Sequence, residues 1–498
     1  MELYLFLFLF LFLISLLFLK PFLLPSKPRN LPPGPAGLPF LGSLLQLGAR
    51  PHESLFNMAR RHGPVMTLRL GLVTSVVVSS PEAARETLQK HDENFSDRAV
   101  PDVITAQPNP EFTLAWVPGD QRWRARRRVC STQMFTAQRL DALQHLRHQK
   151  VHQLVTHIKK SCEPGREVDI GQLAFATTLN LMSSTMFSID IVDPEFQTAQ
   201  EFKDLVWRIM EDAGKPNLSD YFPAVRRFDL LGVKRHIQPA YIRLHEIFDE
   251  IIDKRLKERA TGSPGSSKSG DFLDVLLDQC EEEGSDFTRQ SIKPLILDLF
   301  IAGSDTSALT TEWAMAELLH NPSLLQRSRD ELVTAIGIER PVQESDTRHL
   351  PYLQAIVKET LRLHPAAPLL LPYRSKNDAE VCGYVIPKGM QVLVNAWAIG
   401  RDPSYWEDAM SFTPERFLGS NVDYRGRDFE FIPFGVGRRI CPGLPLAVRM
   451  VHLMVASLVQ SFNWKLPEGM APESLDMQEQ FGVTLRKAVP LRAIPSLV

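Results

Sequence analysis

Cysteine is scarce and scattered, with five in 498 residues, at positions 130, 162, 280, 382 and 441, and no Cys-x-x-Cys pair. Such dispersion makes a poor disulfide framework and a poor zinc site, so a reducing compartment is expected for most of the chain. An excess of one charge is also missing. The 56 basic and 58 acidic residues leave a net charge of −2, which argues against a nucleic-acid binder, whose domain would be clearly basic. No segment repeats along the chain and 37 prolines interrupt it, which excludes a solenoid. The 44% hydrophobic and 23% charged content is that of an ordinary folded, enzyme-sized protein.

What is present begins with an uncharged apolar run, LYLFLFLFLFLISLLFL, at residues 3–19. As a helix it spans about 25 Å, close to the ~27 Å hydrocarbon layer of an endoplasmic-reticulum bilayer. A cleaved signal peptide wants a basic start and a small-residue cleavage site. This chain starts Met1-Glu2 and leaves the run through Lys20-Pro21, so an uncleaved anchor over residues 1–24 is expected. Lys20, Lys27 and Arg29 after the run place the remainder on the cytosolic side. The prolines of residues 25–40 fix φ and disfavour helix, predicting a stiff, extended connector to a body at 41–498.

Within that body, VMTLRLGLVTSVVVSS (65–80) reads as two strands joined at Gly71-Leu72, and residues 82 to about 370 read as mainly helical. TGSPGSSKSGD (261–271) reads as a surface loop, and EVCGYVIPKGMQVLV (380–394) resembles a hairpin. The expected architecture is mainly α with a small β-rich part.

The stretch PFGVGRRICPG (433–443) carries the chemistry. Glycines permit backbone conformations and close approaches that side chains forbid. Cys441 stands just before an apolar helical stretch, where the positive end of the helix dipole favours a thiolate. A thiolate in a glycine-shaped loop flanked by arginines is one way to hold haem iron and pair its propionates. A buried cysteine beside a basic surface loop is the other, but it explains neither the glycine spacing nor Phe434. In LDLFIAGSDTSALTTEWAMAELL (297–319), Ala302 and Thr306 are four apart and share a helix face. Taken alone, the weak helix formers Gly303 to Ser307 suggest two helices broken by a cap. Glu359 and Arg362 lie three apart on an amphipathic helix, a spacing common in surface ion pairs.

Phe434-x-x-Gly437-x-Arg439-x-Cys441-x-Gly443 resembles the cysteine-loop motif of the cytochrome P450 monooxygenases, and the resemblance extends over nearly the whole chain. It implies the fold of that family preceded by a single transmembrane helix, a haem b cofactor, and Cys441 as proximal iron ligand. Phe434 then packs on the sulfur side and Arg439 pairs a propionate. The thiolate donates electron density that favours O–O cleavage, which a histidine would not. Ala302-Gly303-x-Asp305-Thr306 is similar to the family's distal-helix motif. It implies that the helix is continuous, that Ala302 lies beside the haem, and that Asp305 and Thr306 relay protons. Glu359, Arg362 and Arg416 match a structural Glu–Arg–Arg triad supporting the cysteine loop. Trp123 and Arg127 match a propionate contact, and Arg374 is a further candidate. The other arginines of DQRWRARRRVC (120–130) are candidates for docking NADPH-cytochrome P450 reductase, through which NADPH supplies electrons. By position in this fold, Phe112, Leu114, Asp298, Ile301, Leu369, Leu370, Phe481 and Val483 are candidate substrate contacts. Asp298 either orients a substrate hydroxyl or is a polar residue at the solvent-facing start of its helix.

The resemblance extends to plant microsomal members, in particular the group of geraniol and abietane-diterpene hydroxylases. It implies an endoplasmic-reticulum enzyme that hydroxylates a terpenoid in contact with membrane lipid. The alternatives are an aromatic hydroxylase acting on tyrosine or phenylpropanoids and, from another class, a membrane haem protein that oxygenates nothing.

Overall fold

The strand pair expected at 65–80 forms as read: β1 (Val65–Leu70) and β2 (Val73–Val78) are antiparallel, with Leu70 opposite Val73 across the Gly71-Leu72 turn. Gly71 takes φ +63°, the left-handed region that glycine favours. The computed structural model describes residues 30–162, 166–190, 197–214, 217–261 and 270–498. The apolar run at 3–19 and most of the loop at 261–271 lie outside these residues.

Three further strands complete this sheet: β3 (Asp97–Arg98), β4 (Tyr373–Arg374) and β5 (Gln391–Val394), in the order β1-β2-β5-β4-β3. The hairpin expected over 380–394 is therefore only half right. Ala379–Val381 pairs with Tyr384–Ile386, but β5 leaves the hairpin and runs parallel to β2. Residues 30–37 of the proline-rich segment form no helix and lie against the body, and the chain then turns at 39–41, where Leu38 and Gly42 exchange backbone bonds. Thr67 donates its N–H to Pro33 O, and Val385 donates to Asn30 O. A Cβ on Gly34 would fall 1.8 Å from Thr67 O, so only glycine permits this approach.

The helical bulk includes α1 (Gln121–Gln133), α2 (Ile170–Phe187), α3 (Val233–Thr261), α4 (Arg289–His320), α5 (Pro351–Leu363) and α6 (Leu444–Ser461), with further helices between them. α4 runs unbroken through Gly303–Ser307, against its local propensity, because tertiary contacts hold it on both sides. Thr178 of α2 donates its hydroxyl to Ser304 O at 2.9 Å. Phe300 packs among Phe187, Phe202 and Phe248, with ring centroids 5.4–6.0 Å away. A Cβ on Gly303 would meet Met182 Sδ at 2.7 Å, so the glycine of the motif lets α2 close on α4. α6 is long and apolar enough to cross a bilayer, but 67% of it is buried inside the protein.

Candidate haem-binding active site

The loop before α6 brings Cys441 to the floor of a cavity of about 340 Å³ that α4 also lines. Two left-handed glycines shape the loop, Gly435 at φ +68° and Gly437 at φ +67°. A Cβ on Gly437 would stand 2.3 Å from Leu88 O, which explains the glycine spacing by two separate constraints. Cys441 N–H donates to Phe434 O at 3.0 Å. Burial pushes the Cys441 thiol up, opposed by the N–H groups of Gly443 and Leu444 and by the charge of Arg127.

Three guanidinium groups line the same cavity: Arg98, Arg127 and Arg439. Arg439 donates to the carbonyls of Ser96 (2.7 Å) and Val117 (2.5 Å) and lies 4.3 Å over the Trp123 ring. Burial, then the neighbouring charge of Arg98, lowers its pKa to about 9. Arg98 lies 4.3 Å over Tyr373 and donates to Leu371 O, while its buried Nε has no hydrogen-bond partner among the described residues. Concentrating cations in an apolar cavity calls for an anionic occupant. A flat apolar group with two carboxylates and a metal facing Cys441 meets each demand, so the residues present fit a haem.

The cavity gathers Trp123, Arg127, Ala302, Thr306, Phe434, Arg439 and Cys441, as the motifs imply. Of the expected substrate contacts it includes Leu114, Asp298, Ile301, Leu370 and Val483. Five candidates lie elsewhere. Arg374 is exposed and absent from the wall. Neighbouring strand residues face opposite sides, and Tyr373 is the one turned inward. Arg98, directly opposite Tyr373 on β3, supplies the cation instead. Phe112 lies under Arg126, with 5.0 Å from guanidinium to ring centroid. Phe481 stacks on His52 with centroids 5.5 Å apart, and Leu369 packs with the β1–β2 core. Asp305 points away from the cavity. Its carboxylate accepts from Thr484 Oγ1 (2.7 Å) and Arg486 Nη2 (3.0 Å), and burial raises its pKa.

Asp298 is not at a solvent-facing helix start. It lines the cavity, and its Oδ2 accepts the N–H groups of Leu114 (2.6 Å) and Ala115 (3.0 Å). Burial pushes its carboxyl up to about 6 despite those two bonds. The sequence reading missed Arg98, Gln107, Met182, Tyr241 and Thr484, all on the wall. They come from segments far apart in sequence, without a motif among them.

A family model described as Cytochrome P450 matches residues 32–491. The chain is 50% identical over 473 residues to geraniol 8-hydroxylase of Catharanthus roseus, covering 95% of each protein. It is 45% identical to drimenol monooxygenase of Persicaria hydropiper, over 94% of this chain and 93% of that one. Ferruginol synthase of Isodon rubescens is also 45% identical, covering 95% of this chain and 96% of that protein. A zebrafish cytochrome P450 solved with progesterone superposes with a TM-score of 0.77 at 26% identity, covering 90% of this chain and 99% of that one. With Cys441 on the floor, three arginines on the wall and a match of this extent, the chain belongs to the cytochrome P450 family of haem-thiolate monooxygenases.

Proposed function

We propose that this monooxygenase hydroxylates a terpenoid. The observation that carries the reading is the set of relatives named for the oxidation of geraniol and drimenol, 45–50% identical over 94–95% of the chain. A cavity wall dominated by Ile104, Leu114, Leu297, Ile301 and Val483 suits a hydrocarbon skeleton. The enzyme sits on the endoplasmic reticulum with residues 1–24 as anchor and 25–40 as connector to the catalytic body. Exposed Leu38, Phe40, Leu45, Leu72, Phe228 and Leu230 support this, since they lie near the connector and on segments tied together by a bond from Leu72 N–H to Tyr221 O. The redox partner is NADPH-cytochrome P450 reductase, and the exposed Arg122, Arg124 and Arg128 of α1 suit its docking.

Bound on Cys441, haem supplies reductive activation of dioxygen and insertion of one oxygen atom into a C–H bond. The protein supplies exclusion of water and placement of protons. Thr306 stands on the cavity wall and donates its hydroxyl to Ala302 O at 2.6 Å. Behind it, Asp305 is joined to the cavity by Thr484, whose hydroxyl it accepts. Asp305 and Thr484 thus form a carboxylate–hydroxyl pair behind the wall, able to pass a proton towards the face that Thr306 also lines. Thr306→Ala is expected to lower product formed per NADPH on the order of 10²-fold, with haem content and thermal midpoint unchanged. Product per NADPH equal to that of the parent enzyme would remove the relay.

The substrate class is tested by product analysis in reductase-containing membranes with a panel of terpenols, tyrosine and phenylpropanoids. Conversion of terpenols is expected. Conversion of a phenol with every terpenoid left untouched makes the protein an aromatic hydroxylase instead.

A further inference from the structure

Besides the three guanidinium groups and the threonines, three polar side chains of the wall keep an atom that no group of the described residues satisfies. Gln107 is only 5% exposed, lines the cavity, and its buried Oε1 has no hydrogen-bond partner among the described residues. Asp298 commits Oδ2 to two backbone N–H groups, and no such bond from a described residue engages Oδ1. Tyr241, 2% exposed, presents a phenol to the cavity that makes no hydrogen bond to a described residue. The three belong to one region. The turn Asp102–Ala106, immediately before Gln107, packs on α3, which carries Tyr241. After burial, the charge of Asp298 is what holds the Tyr241 phenol above its ordinary range.

Two acceptors and one phenol in an apolar chamber match a single small group that both donates and accepts, which is a hydroxyl. Buried acceptors are costly to leave unpaired, so a ligand that pairs them is preferred over one that does not. Asp298 precedes Thr306 by eight residues on α4, about 12 Å along the axis.

We propose that Gln107, Tyr241 and Asp298 form a subsite for one hydroxyl of an otherwise hydrocarbon substrate, holding it some 12 Å from Thr306 so that oxidation falls on the far, apolar end. The substrate hydroxyl donates to Asp298 Oδ1, or to Gln107 Oε1 once that amide turns towards it, and accepts from the Tyr241 O–H. The subsite deepens the terpenoid reading and rests on it only for the hydrocarbon remainder.

The test compares dissociation constants of geraniol and its deoxy hydrocarbon, and of a phenol and its deoxy arene. Each is measured on the haem-loaded full chain by calorimetry and by the ligand-induced absorbance change. The alcohol is expected to bind at least about tenfold more tightly than the hydrocarbon, because a site built to pair a hydroxyl rejects the analogue lacking it. Gln107→Leu and Tyr241→Phe are each expected to bring that ratio within about threefold by weakening alcohol binding alone. Tyr241→Phe removes one oxygen atom and reads the same ratio should Gln107→Leu not fold. A ratio near one for every skeleton that binds overturns the subsite, whichever skeletons those are. A high ratio confined to aromatic alcohols keeps the subsite and overturns the terpenoid reading. Variants that weaken both members of a pair equally reduce the three residues to cavity shape and overturn the proposal.

Discussion

Cys441→Ser is expected to abolish the thiolate-type band of the reduced carbon-monoxide complex and to eliminate turnover, while the polypeptide stays folded. Serine places an oxygen where the sulfur stands, but its hydroxyl does not ionise near neutral pH, and electron donation to iron needs an anion. The loop keeps its shape without the sulfur. It is held by the bond from residue 441 N–H to Phe434 O, by left-handed Gly435 and Gly437, and by Arg439 on Ser96 O and Val117 O. Loss of colour with an unchanged circular-dichroism spectrum therefore isolates the ligand from the fold. Cys382→Ser is the control, because Cys382 is exposed on the turn between Val381 and Tyr384. It is expected to retain both band and turnover. A thiolate-type band surviving in Cys441→Ser would end the assignment of the proximal ligand.

The parts of this site that were legible in the sequence are those whose geometry is local. Spacing alone places Ala302 and Thr306 on one face, sets Glu359 beside Arg362, and joins β1 to β2 at Gly71-Leu72. What lies across from a residue is not local. Asp305 follows the motif, yet its carboxylate goes to Thr484 and Arg486, about 180 residues downstream. β5 reads as part of a hairpin until β2, more than 300 residues earlier, offers it a parallel partner. The resemblance implies Arg374 as a further propionate contact, whereas strand alternation turns Tyr373 inward and Arg98 reaches the site from another strand. Asp298 reads equally as a substrate contact and as a polar residue at the solvent-facing start of its helix, and it takes two N–H groups of the 112–116 segment to give a buried carboxylate its reason to line the cavity.

Arg362→Ala is expected to prevent accumulation of folded, haem-containing protein, the largest stability effect of any substitution outside the cavity. Glu359 and Arg362 are not the surface pair their spacing suggests, since both side chains are fully buried. The guanidinium uses all its edges: Nε and Nη2 on Glu359 (2.7 Å each), Nη1 on Gly400 O and Ala409 O (2.6 and 2.7 Å), and Nη2 again on Ser411 O (3.0 Å). Removing it takes the partner from Glu359 Oε2, leaves Oε1 to Thr413 N–H and Arg416, and unpairs the buried carbonyls of Gly400 and Ala409. Breaking such a pair costs about 3–5 kcal/mol, a large part of the ~5–15 kcal/mol that holds a protein folded. Arg362→Lys is expected to fare little better, because one ammonium cannot span both Glu359 and the 400–411 carbonyls. Arg416→Ala should be milder: Arg416 contributes one bond to Glu359, at 3.1 Å, and its other bonds are to exposed carbonyls. The damage is expected to reach the haem through packing. Arg362 lies 5.4 Å over Trp406, and an aromatic chain continues from Trp406 through Phe431 and Tyr424 to Phe434 of the cysteine loop. Thermal midpoint and haem content, measured together across the three variants, should fall in parallel and in that order. A wild-type midpoint for Arg362→Lys, or full haem content in Arg362→Ala, would show that the buried triad does not support the cysteine loop.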